Sequence, residues 1–182
     1  MVDFEVTFRD KEPPVERKEI LGYVFSKDIF LPRGFLDKDV VKGDVLDLGC
    51  GRGSVGAMLR QINPEIRLTG VDIVTSYQGE NFLNQYSAVR NGDASSEVAI
   101  IKKDQKRVDL VISYGLPPKP IENLIKTGEI KDIVKSEGVV LLIFDAPIDY
   151  FLMKKAKKMG FELHEGSFPN DPYILFWASR SE

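Results

Sequence analysis

Residues 44–62 read DVLDLGCGRGSVGAMLRQI, so that an apolar run, a glycine-rich turn and an amphipathic pattern follow one another directly. The run Val45–Leu48 is typical of a strand buried in a parallel sheet. After the glycines, apolar residues recur with helical spacing at Val55, Met58, Leu59 and Ile62. Pro64 ends this pattern. The segment therefore predicts a buried strand, a tight turn and a helix.

Further strand-like runs follow along the chain. After Val45–Leu48, strands are predicted at Arg67–Val71, within AVRNGDASS, at Val108–Ser113 and at Gly138–Phe144. Two more are predicted in FELHEGSF and YILFWAS. Only PNDP separates these last two, which is too short for a crossover, so they are expected to form an antiparallel hairpin.

Helix-like segments lie between most of these strands. Helices are predicted at Glu80–Tyr86, in PIENLIKTGEIKDIVKSEG with a break near Gly128, and in YFLMKKAKKM between a cap at Asp149 and a stop at Gly160. Strands joined by helical crossovers predict an α/β fold with a doubly wound, mostly parallel seven-stranded sheet. The first forty residues contain Pro13, Pro14 and Pro32. We expect residues 1–40 to form a cap or lid, and residues 41–182 the single folded domain.

Composition narrows the classes of protein. The hydrophobic fraction of 43% and charged fraction of 29% are typical of a soluble globular chain. No apolar run is as long as a membrane span, the N-terminus is too charged for a signal peptide, and a single cysteine fits a reducing cytoplasm. The net charge of −3 gives no overall attraction to nucleic acid. Local lysine clusters near residues 102–107 and 154–158 are usually solvated helix faces.

The glycine turn is expected to bind a ligand, because the crevice of a parallel sheet lies at the carboxyl ends of its strands. No lysine follows the turn, which excludes a phosphate-binding loop. Counted from Gly49, the third glycine of a dinucleotide pattern would be Ser54. Asp47 is costly to bury at a strand end unless a cation pairs with it, and it would repel a pyrophosphate. These features favour a nucleoside that carries a positive charge.

The stretch VLDLGCGRGSVG resembles the first motif of the class I S-adenosylmethionine-dependent methyltransferases. The resemblance covers about residues 40–180 and implies S-adenosyl-L-methionine as cofactor. It places Asp72 at the ribose hydroxyls, which a carboxylate with two acceptor oxygens suits, and Asp93 and the Ala94 N–H at the adenine. The implied cofactor-binding residues are Asp47, Gly49, Cys50, Gly51, Gly53, Asp72, Ile73, Asp93, Ala94 and Ser113. Asp72 and Asp93 are alternatively ordinary turn aspartates.

The acceptor side is less defined. The stretch VISYGLPPKP resembles the Asn-Pro-Pro-aromatic motif of amino-group methyltransferases, but Leu116 stands at the position of the asparagine and Lys119 at that of the aromatic residue. Tyr114 is the preferred acceptor contact, and Asp145 is expected to line the same pocket.

Two functions stay open. One is an active methyltransferase with an unidentified acceptor, which is a small molecule, a protein or RNA. The other is a non-catalytic cofactor-binding subunit beside a partner chain.

No metal site is predicted. Cys50 has neither a second cysteine nor a nearby histidine in the sequence, so a small space-filling side chain is the favoured interpretation. His164 falls in a predicted strand and is interpreted as a packed or surface residue.

Overall fold

The computed structural model describes residues 24–26, 29–30, 36–73, 85–114, 116–144, 149–165 and 173–179. The strands are β1 (Val24–Ser26), β2 (Ile29–Phe30), β3 (Asp44–Leu48), β4 (Arg67–Asp72), β5 (Ala88–Asn91), β6 (Val108–Tyr114), β7 (Val134–Phe144), β8 (Glu162–Glu165) and β9 (Tyr173–Ala178). The helices are α1 (Ser54–Ile62), α2 (Ala94–Lys103), α3 (Pro118–Thr127), α4 (Glu129–Asp132) and α5 (Tyr150–Lys158).

Seven strands form one sheet in the order β5-β4-β3-β6-β7-β9-β8. The five strands from β3 to β7 pair in parallel, whereas β9 is antiparallel to both β7 and β8. This confirms the predicted mostly parallel sheet with an antiparallel C-terminal hairpin. The direction in which successive strands are added to the sheet reverses between β3 and β6. A crevice therefore opens at the carboxyl end of β3.

Alternate residues of each strand face opposite layers of the core. Val45 and Leu110 pack with helix α1, while Leu46 and Val111 pack with α2 to α5. The amphipathic pattern of α1 places Met58 and Leu59 against the sheet, almost fully buried. Each such side chain contributes about 1.5–3 kcal/mol on burial. The helices therefore cover both faces of the sheet. The carboxyl ends of the strands lie between these layers, where a ligand site can form.

One predicted boundary was wrong, and one helix was missed. The helical prediction continued to residue 138, but β7 begins at Val134, which is buried and pairs with Val108. A register shift opposite Val108–Leu110 and a positive φ at Glu137 show that the polar Lys-Ser-Glu-Gly stretch forms a bulge within a strand. The interpretation of residues 93–96 as a turn missed helix α2, which begins there with Asp93 as its N-cap.

Several predictions fall outside the described residues. Most of the predicted helix Glu80–Tyr86 is among the residues that are not described. Its last two residues, Gln85 and Tyr86, are described and form a turn and irregular backbone. Asp145 and most of the predicted lid of residues 1–40 are also outside the described ranges. Of the first forty residues, β1 and β2 form an antiparallel pair, and Leu36 packs into the core on the α1 side. No helix within the described ranges is long and apolar enough to cross a membrane.

Candidate cofactor site

The glycine turn between β3 and α1 is attached to the end of β4. The N–H groups of Gly49 and Cys50 donate to the carbonyl oxygen of Val71, at 2.8 and 3.1 Å. Gly49, Gly51 and Gly53 all have positive φ, between 48° and 86°. A side chain at Gly49 would also collide with Leu116, whose Cδ2 lies 2.7 Å from an added Cβ. The turn thus requires glycine for its conformation and for its close approach to the β6–α3 connection.

A cavity of about 310 Å³ opens at this turn, at the carboxyl edge of the parallel strands. Eight of the predicted residues line it: Gly49, Cys50, Gly51, Asp72, Ile73, Asp93, Ala94 and Tyr114. The other lining residues are Arg52, Ser54, Val55, Val71, Gly92, Leu116, Pro117 and Pro120. Residues far apart in the chain therefore meet in one apolar cleft that carries a few polar groups, as small-molecule sites commonly do.

Asp72 and Gly51 form the polar centre of the cavity. Asp72 ends β4, and its Oδ2 accepts a 2.8 Å hydrogen bond from the Gly51 N–H. A Cβ at Gly51 would meet only the Gly49 carbonyl oxygen, at 3.9 Å, so this backbone borders open space. Ile73, the next residue after Asp72, is 68% exposed although it lines the cavity. The site thus offers a carboxylate, bare backbone and an uncovered apolar side chain side by side.

Asp93 and Ala94 border the cavity at the start of α2. The Asp93 carboxylate caps the helix, because its Oδ1 accepts hydrogen bonds from the backbone N–H of Ser95 at 2.9 Å and of Ser96 at 3.2 Å. Capping accounts for one carboxylate oxygen and explains why an aspartate stands there. The predicted role toward an adenine is additional to this structural role and stays a prediction.

Asp47 lies beneath the turn and not in the cavity lining. It is fully buried, and its Oδ2 accepts a 2.6 Å hydrogen bond from the Tyr86 hydroxyl. Its Oδ1 has no hydrogen-bond partner within the described part of the chain. Burial raises the pKa of Asp47 to about 7, and the Asp72 charge adds to this, while the Tyr86 hydrogen bond opposes it.

Gly53 and Ser113 also lie outside the cavity lining among the described residues. Gly53 is the N-cap of α1, where its φ of 86° sets the start of the helix. Ser113 is fully buried, and its Oγ has no partner among the described groups. The pleat explains the difference from its neighbour, because successive strand residues face opposite sides of the sheet and only Tyr114 reaches the cavity.

Leu116 lines the cavity at the position where the motif of amino-group methyltransferases has asparagine. Its side chain contacts the Gly49 backbone, and it packs against the core on the side of α2 to α5. Tyr114 is largely buried, at 6% exposure, and lines the same cavity. At this edge the described lining residues are thus an aromatic residue and apolar residues, and none of them carries a side-chain amide.

Tyr86 and Arg52 were missed by sequence reasoning. Tyr86 is the last residue of the predicted helix Glu80–Tyr86, and no local pattern marks it as the partner of Asp47. Its ring fills the space above Gly56 and Gly70, whose added Cβ atoms would lie 2.6 and 2.8 Å from it. The glycines at these two positions were the available signal, since glycine within a helix or strand can mark a close approach. Arg52 lines the cavity from within the motif itself.

Cys50 is buried beside the turn. Burial and the nearby Asp47 and Asp72 charges raise the pKa of its thiol, which makes a reactive thiolate unfavourable. Its Sγ lies 2.8 Å from the position of a Cβ at Gly70. The thiol therefore acts as a small packing group, and no cluster of metal-ligating side chains occurs in the ranges that the structure describes.

Comparison with known sequences supports a methyltransferase. The family model described as "Methyltransferase small domain" matches residues 29–118. A ribosomal RNA small subunit methyltransferase C from Actinobacillus succinogenes is 31% identical over 119 residues, which are 60% of this chain and 34% of that protein. The protein of the same name from Pasteurella multocida is 41% identical over 78 residues, 40% of this chain and 22% of that protein. The chain thus spans about a third or less of the length of these relatives.

Solved structures share the fold. Human methyltransferase-like protein 13 in complex with SAH aligns with a TM-score of 0.61 and 16% identity, over 76% of this chain and 72% of that chain. Aeropyrum pernix fibrillarin with natively bound S-adenosyl-L-methionine aligns with a TM-score of 0.58 and 17% identity, over 79% and 70%. The family match, the relatives and the sheet order agree with the motif at the glycine turn. Together they support the class I S-adenosylmethionine-dependent methyltransferase superfamily for this chain.

Proposed function

We propose that this chain binds S-adenosyl-L-methionine in the cavity at the glycine turn and transfers its methyl group to RNA. The position of the Asp72 carboxylate is the main support for cofactor binding. Its carboxylate borders the cavity, held by the Gly51 N–H, next to the exposed side chain of Ile73. A carboxylate suits the vicinal hydroxyls of a ribose, and Ile73 offers an apolar surface for the adenine plane.

The residues present fit this cofactor. Gly51 leaves space that any side chain would fill, and the lining of the cavity is mostly apolar. S-adenosyl-L-methionine, when bound, supplies an electrophilic methyl group for in-line displacement by a nucleophile. The contribution of the chain is alignment and desolvation, with Tyr114 and Leu116 shaping the side from which an acceptor approaches.

RNA is proposed as the acceptor because the relatives are named as ribosomal RNA methyltransferases. The net charge of −3 does not attract RNA by itself, so contact must come from local basic surfaces. Leu116 favours a nucleophile that needs no asparagine amide to orient it, or a site completed by another chain.

The test uses S-adenosyl-L-methionine labelled on its methyl group, incubated with the protein and fractionated cell extract. Label in a fraction that nuclease removes and protease leaves would support an RNA acceptor. Label that survives nuclease would contradict it. Asp72→Ala, with Asp104→Ala as a matched control at an exposed aspartate, shows whether transfer depends on the proposed site.

A second function is favoured by Leu116 specifically. A chain that keeps the cofactor site but lacks the polar acceptor group would act as a cofactor-binding subunit. Cofactor binding by calorimetry without label transfer in any fraction would support this second function.

A further inference from the structure

The outward face of helix α5 combines exposed aromatic rings with positive charge. Leu152 and Ala156 anchor the helix to the core, at 5% and 0% exposure. On the opposite side Tyr150 is 66% and Phe151 77% exposed, with ring centroids 6.0 Å apart and an interplanar angle of 75°. The helix continues over Lys154, Lys155, Lys157 and Lys158, of which Lys155 is partly buried and the others are exposed. We call these six residues the α5 face.

The two rings are unusual for this protein. Among the large apolar side chains that the structure describes, the exposed ones are Ile73, Ile100, Tyr150 and Phe151. Ile73 belongs to the cofactor cavity, and Ile100 stands alone on α2. Of these four described residues, Tyr150 and Phe151 are the pair that is adjacent and in contact. Exposed aromatic pairs mark binding surfaces, because their apolar area is unfavourable in water unless a partner covers it.

The lysines of the α5 face are not neutralised. Within the described ranges none of the four forms an ion pair, whereas Lys102, Lys106, Lys126 and Lys135 each pair with a carboxylate. The acidic group beside the rings is Asp149, whose Oδ1 caps the helix by accepting a 2.7 Å hydrogen bond from the Phe151 N–H. The face therefore carries an excess of positive charge that complements an anion.

The α5 face also lies toward the edge of the sheet at which an acceptor would enter. Strand β7 ends at Phe144, and α5 begins at Tyr150, on the carboxyl side of the parallel strands. Helix α5 packs beside α3. The residues that lead into α3, Leu116 and Pro117, together with Pro120, line the cofactor cavity. The rings thus stand at the cavity end of α5, and the lysines extend away from them.

We propose that the α5 face docks a single-stranded segment of RNA, with bases stacked on Tyr150 and Phe151 and phosphates beside the lysines. Unpaired bases expose their planar faces to aromatic side chains, while lysines neutralise the backbone without reading sequence. A duplex keeps its bases stacked on one another, so the face favours a single strand. The inference rests on the proposed function, since it assigns a docking surface for an RNA acceptor.

A second basic region provides a control. Arg67, Arg90, Lys106 and Arg107 line a cavity at the opposite, amino edge of the sheet. Arg67 is paired with Asp44, Arg90 with Glu97 and Lys106 with Asp104, and none of the lining residues is aromatic. It carries four cationic side chains, three of them ion-paired, without a stacking surface and at the edge of the sheet opposite the cofactor cavity.

The experiment measures fluorescence anisotropy of a labelled, mixed-sequence single-stranded RNA of roughly 16 nucleotides, a length within known single-strand site sizes, at low salt and without cofactor. Tyr150→Ala/Phe151→Ala should weaken binding by about tenfold or more. Lys154→Ala/Lys158→Ala should weaken it and reduce the salt slope by about 0.7 for each phosphate that the variant no longer neutralises. Lys106→Ala/Arg107→Ala should bind like the wild type.

Thermal unfolding midpoints verify that each variant is folded. The proposal is overturned if the wild type does not bind, if the aromatic double variant binds as the wild type does, or if a duplex of the same sequence binds equally well. Polyglutamate binding as tight as that of the RNA would assign the face to a protein partner and overturn it too. The RNA-binding assay contains no cofactor. A titration in which S-adenosyl-L-methionine fails to bind would therefore contradict the proposed function and leave the RNA-binding result unaffected.

Discussion

The Tyr86 hydroxyl donates a 2.6 Å hydrogen bond to Oδ2 of Asp47, 39 residues earlier in the chain. The same hydroxyl accepts a 3.2 Å hydrogen bond from the Gly56 N–H in the first turn of α1. One phenol thus joins the end of β3, the start of α1 and the segment before β5. Since all three groups are buried, the glycine turn rests on a polar network beneath it and not only on its own backbone.

Tyr86→Phe is expected to destabilise the fold by about 1–3 kcal/mol, because it removes a donor from a buried carboxyl group and an acceptor from the Gly56 N–H. Urea unfolding at neutral pH measures the difference. Tyr150→Phe serves as the control, since its hydroxyl is on an exposed side chain, and it should change stability by less than about 0.5 kcal/mol. Equal effects of the two substitutions would contradict the role of the network.

Asp47→Asn should change how stability depends on pH. The folded-state pKa of Asp47 is raised to about 7 from 3.8, so the folded protein holds this proton more tightly than the unfolded chain. Its contribution to stability is therefore complete below about pH 4 and is lost as pH rises toward 7, by at most about 4 kcal/mol. The variant lacks this proton and should show a flatter profile between pH 4 and 7.

Unfolding free energies of both proteins, measured by urea titration at intervals across that range, test the prediction. The slope is the informative quantity, because the buried amide of the variant also changes the absolute stability. If the two profiles are parallel between pH 4 and 7, Asp47 does not have the raised pKa.

Asp72→Ala is expected to weaken binding of S-adenosyl-L-methionine by about 2–4 kcal/mol, or roughly 30- to 1,000-fold, because two ribose hydroxyls and the Gly51 N–H lose their acceptor. Calorimetric titration gives the affinity directly. Asp104→Ala removes the same charge at an exposed position and should bind normally. An unchanged affinity in Asp72→Ala would remove the main support for the site.

Gly51→Val should abolish cofactor binding and leave the fold intact. The added side chain points into open cavity space and requires a φ of 48° that a β-branched residue rarely adopts. The backbone cost is roughly 1–2 kcal/mol. Gly128→Val is the matched control, since Gly128 has a φ of 76° at the end of α3, away from the cavity.

Circular dichroism and calorimetry on both glycine variants distinguish the alternatives. The control should lose a similar amount of stability and keep its affinity. Global unfolding of Gly51→Val alone would make the turn a structural element and contradict its role in binding.

Much of the site could be predicted because its signals are local. The glycine spacing, the aspartate that ends the second long strand and the apolar runs all reflect short-range backbone requirements. The missed helix α2 shows the limit. The resemblance places Asp93 at the adenine, with an ordinary turn aspartate as the alternative, and the structure shows that its Oδ1 caps this helix. A sequence pattern does not separate an aspartate that caps a helix from one that binds a ligand.

The sequence by itself determined the β3–turn–α1 unit, the parallel sheet and its antiparallel end, since these follow from periodicity, loop length and the conformational freedom of glycine. Only the tertiary structure decided which side chains meet. In the folded chain the Tyr86 hydroxyl bonds to Asp47, and the Leu116 side chain lies against Gly49. Tyr114 lines the cavity, whereas Ser113 is fully buried. These relationships depend on register and packing between segments distant in the chain, where a shift of one residue moves a side chain to the opposite face.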